Sequence, residues 1–245
     1  MEAMILAGGL GTRLQAHTPG VPKALAPVGG RPFLAWLLDQ LDIAGFRRVV
    51  LCVGYRRETI IGAFGNRYRG LELLYAIEES PLGTGGAICK GIERIGPGEA
   101  PIFVMNGDTI GDIAYSQMIA AHSPRSHDPK AITMALFRCE DTGRYGTVEI
   151  SEGRVASFVA SGGHGPGIVN SGVYLLHRRL FRNWTMPIAF SFEHEFLAPR
   201  ISELVIYPFL SDGWFIDIGV GRDFARAQNE IPQRFGKREG VTPRV

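Results

Sequence analysis

Cysteine is scarce in this chain. Of 245 residues, three are cysteines, Cys52, Cys89 and Cys139. They form no CxxC pair, which argues against a disulfide framework and for free thiols in a reducing compartment. The six histidines make no HExxH and no His/Cys cluster, so a structural zinc site is not expected. Neither charge is in excess: 26 Lys and Arg face 24 Asp and Glu, a net of +2. That is too little to displace counterions from nucleic acid without sequence preference, although local basic clusters can still hold a small phosphorylated ligand. No apolar run approaches the ~20 residues of a membrane span. The start, Met1-Glu2-Ala3-Met4-Ile5-Leu6-Ala7, lacks the basic and long apolar regions of a secretion signal. A cytoplasmic protein with no nucleic-acid or membrane partner is expected. Internal repeats and low-complexity segments are also missing. The 45% apolar and 20% charged content excludes a long disordered chain.

Glycine is plentiful, with 32 residues, and it punctuates short apolar runs at 4–7, 49–53, 71–77, 102–105 and 132–137. These runs lack period-two alternation, the pattern of strands buried on both faces. Helices are expected between them, at 32–44, 58–64, 86–95 and 114–122. In the first of these Phe33, Leu34, Leu37, Leu38 and Leu41 form one apolar stripe. Four successive strand–helix–strand units imply an α/β fold with a doubly wound, mainly parallel, Rossmann-like sheet. After about residue 138 the rhythm changes to β-like runs at 146–150, 155–159 and 172–176, read as extra antiparallel strands forming a lid on the same sheet. One domain is expected over 1–230, in halves 1–138 and 139–230, with a tail at 231–245 whose end is basic and contains glycine and proline.

The first strand feeds straight into Leu6-Ala7-Gly8-Gly9-Leu10-Gly11-Thr12-Arg13-Leu14. Glycines remove the Cβ atoms that would hold a ligand off the backbone, so successive N–H groups can face an anion. Arg13 adds a planar charged fork suited to phosphate oxygens, and Pro22-Lys23-Ala24-Leu25 delivers a lysine from a stiff turn. Neither common nucleotide fingerprint is present. A dinucleotide loop needs glycine where Leu14 stands, and a P-loop needs lysine where Thr12 stands.

These two segments together resemble the signature of the sugar-1-phosphate nucleotidylyltransferases, and later segments follow that family's order over residues 1–230. The resemblance implies an enzyme joining a nucleoside triphosphate to a sugar 1-phosphate with release of pyrophosphate, its nucleotide-binding half at 1–138 and its sugar-binding half at 139–230. Leu6, Ala7, Gly8, Gly9, Gly11, Thr12 and Arg13 would wrap the nucleotide phosphates. Arg13 would steady the leaving pyrophosphate, and Lys23 would neutralise charge at the α-phosphorus. Glu79-Ser80-Pro81-Leu82-Gly83-Thr84-Gly85-Gly86 is a second glycine turn. Chemically it suits a helix start capped by Thr84, and by resemblance Gly83 and Gly85 line the nucleobase.

Asp108, in Asn106-Gly107-Asp108-Thr109, follows an apolar strand, where open parallel sheets bind ligands, although turn chemistry alone would also place an aspartate there. Asp217, in Phe215-Ile216-Asp217-Ile218-Gly219, has the same setting before a helix expected at 222–228. The pair resembles the family's metal clamp for Mg²⁺, which favours hard oxygen ligands. Asp108 also counts among the catalytic and nucleotide-binding residues. Gly146 and Asn170 match the family's sugar-reading segments. Ser191-Phe192-Glu193 fits its pattern too, with no role assigned to Glu193. One departure stands out. Many relatives carry Phe-x-Glu-Lys-Pro, whose lysine holds the sugar phosphate, whereas this chain has Ala160 and Ser161 in those places. Arg138, Arg144, His164 or backbone N–H groups are the candidates to replace it.

Within the family, brevity and the 81–86 loop resemble the manno-heptose 1-phosphate guanylyltransferases, then the mannose 1-phosphate guanylyltransferases, both of which feed GDP-sugars into surface polysaccharide. Thymidylyl or cytidylyl transfer to glucose 1-phosphate is an alternative, as is a non-catalytic sugar-nucleotide-binding subunit. A homodimer is expected by analogy alone.

Overall fold

Strands with apolar side chains on both faces require cover on both faces, and the helices between them provide it. The computed structural model describes every residue except Leu10, Gln15, His17, Gly96, Pro97, 160–163 and 237–245. It opens with β1 (Glu2–Leu6), a hairpin of β2 (Pro27–Val28) and β3 (Arg31–Pro32), and α1 (Phe33–Ile43). Next come β4 (Arg48–Val53), α2 (Arg57–Phe64), β5 (Arg67–Tyr68), β6 (Leu71–Ile77) and α3 (Gly83–Ile95). Then follow β7 (Ile102–Asn106), β8 (Thr109–Gly111), α4 (Tyr115–His122) and β9 (Ala131–Cys139). The remainder holds β10 (Thr147–Ser151), β11 (Arg154–Val159), β12 (Gly167–Leu176), β13 (Val205–Ser211), β14 (Phe215–Asp217) and α5 (Gly221–Phe235).

Among the described residues ten strands share one sheet in the order β11-β10-β12-β7-β1-β4-β6-β5, with β9 on β12 and β13 on β9. β1, β4, β6, β7, β9, β10 and β13 run one way and β5, β11 and β12 the other. The expected doubly wound α/β sheet with antiparallel additions is therefore present. The fourth strand–helix–strand unit ends differently from the first three. Antiparallel β12 is inserted between β7 and β9, its Val173 facing Met105 on one side and Ala135 on the other. α5 runs to Phe235 with Ile231 buried, so residues 231–235, expected in the tail, are helical. Residues 237–245 of that tail lie outside the described residues.

Neighbouring residues of the central strands enter opposite layers. Ala3 and Ile5 pack with α1, α2, α4 and α5, while Met4, Val50 and Cys52 pack with α3 and with a π-helical turn at Phe192–Leu197. Leu34, Leu37, Leu38 and Leu41 of α1 are all buried, each worth roughly 1.5–3 kcal/mol of transfer free energy. The carboxyl ends of β1, β4 and β7 open onto one edge, where a doubly wound sheet leaves its crevice. No helix among the described residues is long and apolar enough to cross a membrane.

Candidate active site

Strand register brings the two aspartates together. β14 pairs antiparallel with β8, setting Asp217 opposite Thr109, and the Ile218 N–H donates to the Asp108 carbonyl at 2.9 Å. Lys23, on a 3₁₀ turn entered through Pro22, bonds the Asp108 carboxylate and lies 3.9 Å from Asp217 Oδ1. Arg144 closes the far side of Asp217. Its Nη2 is 2.7 Å from Asp217 Oδ2, and its other arm bonds Asp223 in the first turn of α5. Burial first, and then the Asp108 charge, push the Asp217 carboxyl above its usual range, with Lys23 and Arg144 opposing.

A cleft of about 240 Å³ lies over this group, walled by Leu6, Ala7, Gly9, Gly11, Thr12, Arg13, Lys23, Asp108 and Gly219 among others. It is continuous, through Leu6, Gly9, Gly11, Thr12 and Asp108, with a larger one of about 770 Å³. The larger cleft adds Gly8, Gly54, Tyr55, Glu78, Pro81, Gly83, Thr84 and Asn106 to the wall. The structure thus gathers Leu6, Ala7, Gly8, Gly9, Gly11, Thr12, Arg13, Lys23, Gly83 and Asp108 around one space.

Gly85 is not among them. Its N–H donates to the Phe190 carbonyl at 2.9 Å, and a Cβ there would stand 2.1 Å from the Phe190 ring. That glycine admits the 188–193 segment against α3. Thr84 does not cap the helix either, since α3 begins one residue earlier. Its hydroxyl accepts the Phe192 N–H at 2.7 Å and donates to Glu193 at 3.1 Å.

Glu78 was missed by sequence reasoning. It ends the β6 crossover with 8% exposure and lines the larger cleft. A Cβ on Gly8 would come 2.2 Å from its Oε1, and its Oε2 accepts the Leu82 N–H at 3.3 Å. Burial raises its carboxyl pKa. The available signal was a glutamate pair at a strand end just before a glycine turn. Glu79, the other of the two, lines the same cleft but is exposed and pairs with Arg57 at 2.7 Å.

On the opposite side, Asn170 sits in β12 where the register with β9 shifts, and Gly146 is exposed just ahead of β10. Neither belongs to the walls of the two clefts. Ala160 and Ser161 lie outside the described residues. Of the candidate replacements for the lysine, Arg138 is exposed 3.8 Å from Asp212 and His164 is exposed near Asp141, while Arg144 is engaged by Asp217 and Asp223.

Asp108 lines the cleft, and Asp217, which is in neither cleft wall, lies near enough to feel its charge. The repulsion between these two hard carboxylate donors is what a divalent cation held by both would remove. No group of three or more His, Cys, Asp or Glu that could hold a metal occurs among the described residues, so such a cation would complete its shell with water and phosphate oxygens. The residues present fit that demand.

The chain is 39% identical over 231 residues to the D-glycero-α-D-manno-heptose 1-phosphate guanylyltransferase of Aneurinibacillus thermoaerophilus, spanning 94% of this chain and 98% of that one. The enzyme of the same name from Campylobacter jejuni is 38% identical over 225 residues, 91% and 97% of the two chains. Among solved structures, HddC from Yersinia pseudotuberculosis complexed with GMP-PN superposes with a TM-score of 0.82 at 33% identity, covering 94% of this chain and 98% of its own. Nucleotidyl transferases of this kind generally use a divalent metal. Residues 2–234 match the nucleotidyl transferase model, and with a glycine loop, Lys23 and Asp108 set around one cleft and Asp217 beside Lys23, the chain belongs to the nucleotidyl transferase family.

Proposed function

We propose that the protein transfers the guanylyl group of GTP to D-glycero-D-manno-heptose 1-phosphate, releasing pyrophosphate and yielding a GDP-heptose. The observation that carries the reading is the placement of Lys23 against Asp108 and near Asp217, at the mouth of the glycine loop. The sugar-phosphate oxygen attacks the α-phosphorus in line, and the bond from that phosphorus to the β-phosphate oxygen breaks. Catalysis then consists of aligning two anions and neutralising their charge. N–H groups of the loop hold the phosphates, Arg13 follows the charge of the departing pyrophosphate, and Lys23 offsets the charge gathering at the α-phosphate. Asp108 and Asp217 would hold a divalent cation, Mg²⁺ by donor chemistry, which when bound supplies a Lewis acid for the phosphate oxygens.

The choice of GTP draws support from Glu78. Guanine alone among the common bases presents two adjacent donors, N1–H and N2–H, and a carboxylate is a pure acceptor pair. The heptose assignment draws support from the names of the relatives above.

The test is pyrophosphate release with Mg²⁺, crossing five nucleoside triphosphates with heptose, mannose, glucose and N-acetylglucosamine 1-phosphates. GTP with heptose 1-phosphate gives the dominant signal. A different dominant pair discards the substrate and keeps the chemistry, and silence with nucleotide still bound favours a binding subunit. In the same assay Glu78→Gln lowers the preference for GTP over UTP by about 10- to 100-fold, the worth of one bidentate base contact. An unchanged preference removes Glu78 from base reading.

A further inference from the structure

Glu193 fits the family pattern but has no part in the proposed phosphate chemistry. It is the second residue of the π-helical turn Phe192–Leu197, and both of its carboxylate oxygens are engaged. The Tyr174 hydroxyl donates to Oε1 at 2.8 Å, and the Thr84 hydroxyl donates to Oε2 at 3.1 Å. Tyr174 oxygen in turn accepts from Asn170 Nδ2 at 2.6 Å. We infer that Glu193 is a positioning residue, which through the Tyr174 hydroxyl fixes the Asn170 amide in the orientation that reads a sugar hydroxyl.

The direction of this relay follows from counting protons. An ionised carboxylate has none to give, so the single Tyr174 proton points to Glu193 and the tyrosine oxygen can only accept. Asn170 must therefore turn its NH₂, not its carbonyl, toward Tyr174. The other end agrees, because the Gly172 N–H donates to Asn170 Oδ1 at 2.9 Å. With both ends fixed, one N–H and one carbonyl lone pair of the amide have no partner among the described residues, a donor–acceptor couple of the kind that sugar hydroxyls match.

Tyr174 is fully buried. Burial and then the Glu193 charge hold its hydroxyl well above the usual range, so the proton the relay needs stays in place. Thr84 lines the larger cleft, so one carboxylate ties the wall of the nucleotide cleft to the residue on the sugar side. The register shift in β12 falls at Asn170, and a bulge of this kind re-aims a side chain out of the ladder. A Cβ on Gly172, inside the same shift, would meet the amide of Asn106, itself part of the cleft wall.

The inference rests on Asn170 reading the sugar, so the experiment separates the two. Tyr174→Phe deletes one hydroxyl and keeps the buried ring. It raises KM for the sugar 1-phosphate that turns over by about 3- to 10-fold, the worth of one oriented hydrogen bond, and leaves KM for GTP unchanged. Glu193→Ala raises the sugar KM to the same extent, although by also releasing Thr84 in the cleft wall it does not isolate the sugar side. Glu193→Gln, whose carbonyl still accepts from Tyr174, retains most of the wild-type sugar KM. In an Asn170→Ala background Tyr174→Phe has no further effect on that KM. An equal rise in that background, or no rise in the wild-type background, overturns the relay. An Asn170→Ala enzyme with unaltered sugar KM overturns the sugar reading itself. Thermal melts of each variant show that the comparison is made between folded proteins.

Discussion

Lys23 holds one positive charge against Asp108 and 3.9 Å from Asp217, so its removal leaves Asp108 without that cation at the cleft wall, while Asp217 keeps Arg144. Lys23→Ala lowers turnover by about 10²- to 10³-fold while the far-ultraviolet circular dichroism stays as in the wild type. Pyrophosphate release under single-turnover conditions measures the first, and near-wild-type turnover removes Lys23 from the chemistry. At this scale the gathering of the glycine loop, Arg13 and Lys23 around one cleft was legible, because those residues stand at set positions in a short stretch. Glu78 was not, because its place depends on the Cβ that Gly8 lacks, seventy residues away in sequence and adjacent only after folding. Gly85 misled for the opposite reason. Glycine beside a nucleotide loop suggests contact with ligand, yet here the missing side chain makes room for Phe190.

The beginning of α3 is a junction of elements as well as part of the cleft wall. Gly85 N–H meets the Phe190 carbonyl, Phe190 N–H meets the Leu82 carbonyl, and Thr84 accepts from Phe192. Gly85→Ala forces a methyl into the Phe190 ring, and the strain costs roughly 1–3 kcal/mol. Urea unfolding registers that loss, and an unaltered midpoint contradicts the packing role.

Elements buried on both sides were readable from composition alone, since their runs of Val, Ile, Leu and Phe have no polar alternation to conceal. Elements set by partners were harder. β13 contains Pro208, which speaks against a strand. It survives because β13 has a single sheet neighbour, β9, among the described residues. The hairpin β2–β3 has two residues per strand and is held from outside. Gln228 of α5 accepts the Gly29 N–H at 3.1 Å and donates to the Pro27 carbonyl at 2.9 Å. No local pattern announces such a brace. It links the hairpin that follows the Lys23 turn to the helix that follows Asp217.

Over the whole molecule, acid tolerance depends on a group far from the cleft. His122 is fully buried, its Nδ1 is 2.9 Å from Thr133 Oγ1, and burial first, then Arg125 and His177, lower its pKa from 6.5 to about 4. Between those values the unfolded chain binds a proton that the folded one refuses, so stability is complete above pH 6.5 and declines as pH falls. The deficit approaches about 3 kcal/mol near pH 4. Urea unfolding across pH 7 to 4 displays the slope. His122→Gln flattens it, and an equal slope in that variant assigns acid sensitivity elsewhere.

The pairing of β14 with β8 also bears on how the protein is made. On the ribosome the glycine loop, Lys23 and Asp108 are translated more than a hundred residues before Asp217, which pairs with them through β14 and β8. The second carboxylate of the pair joins the first only after the intervening strands β9 to β13 have been made. The carboxylate pair is therefore a late product of folding, complete only once β14 has found β8, and a chain stopped before β14 lacks it.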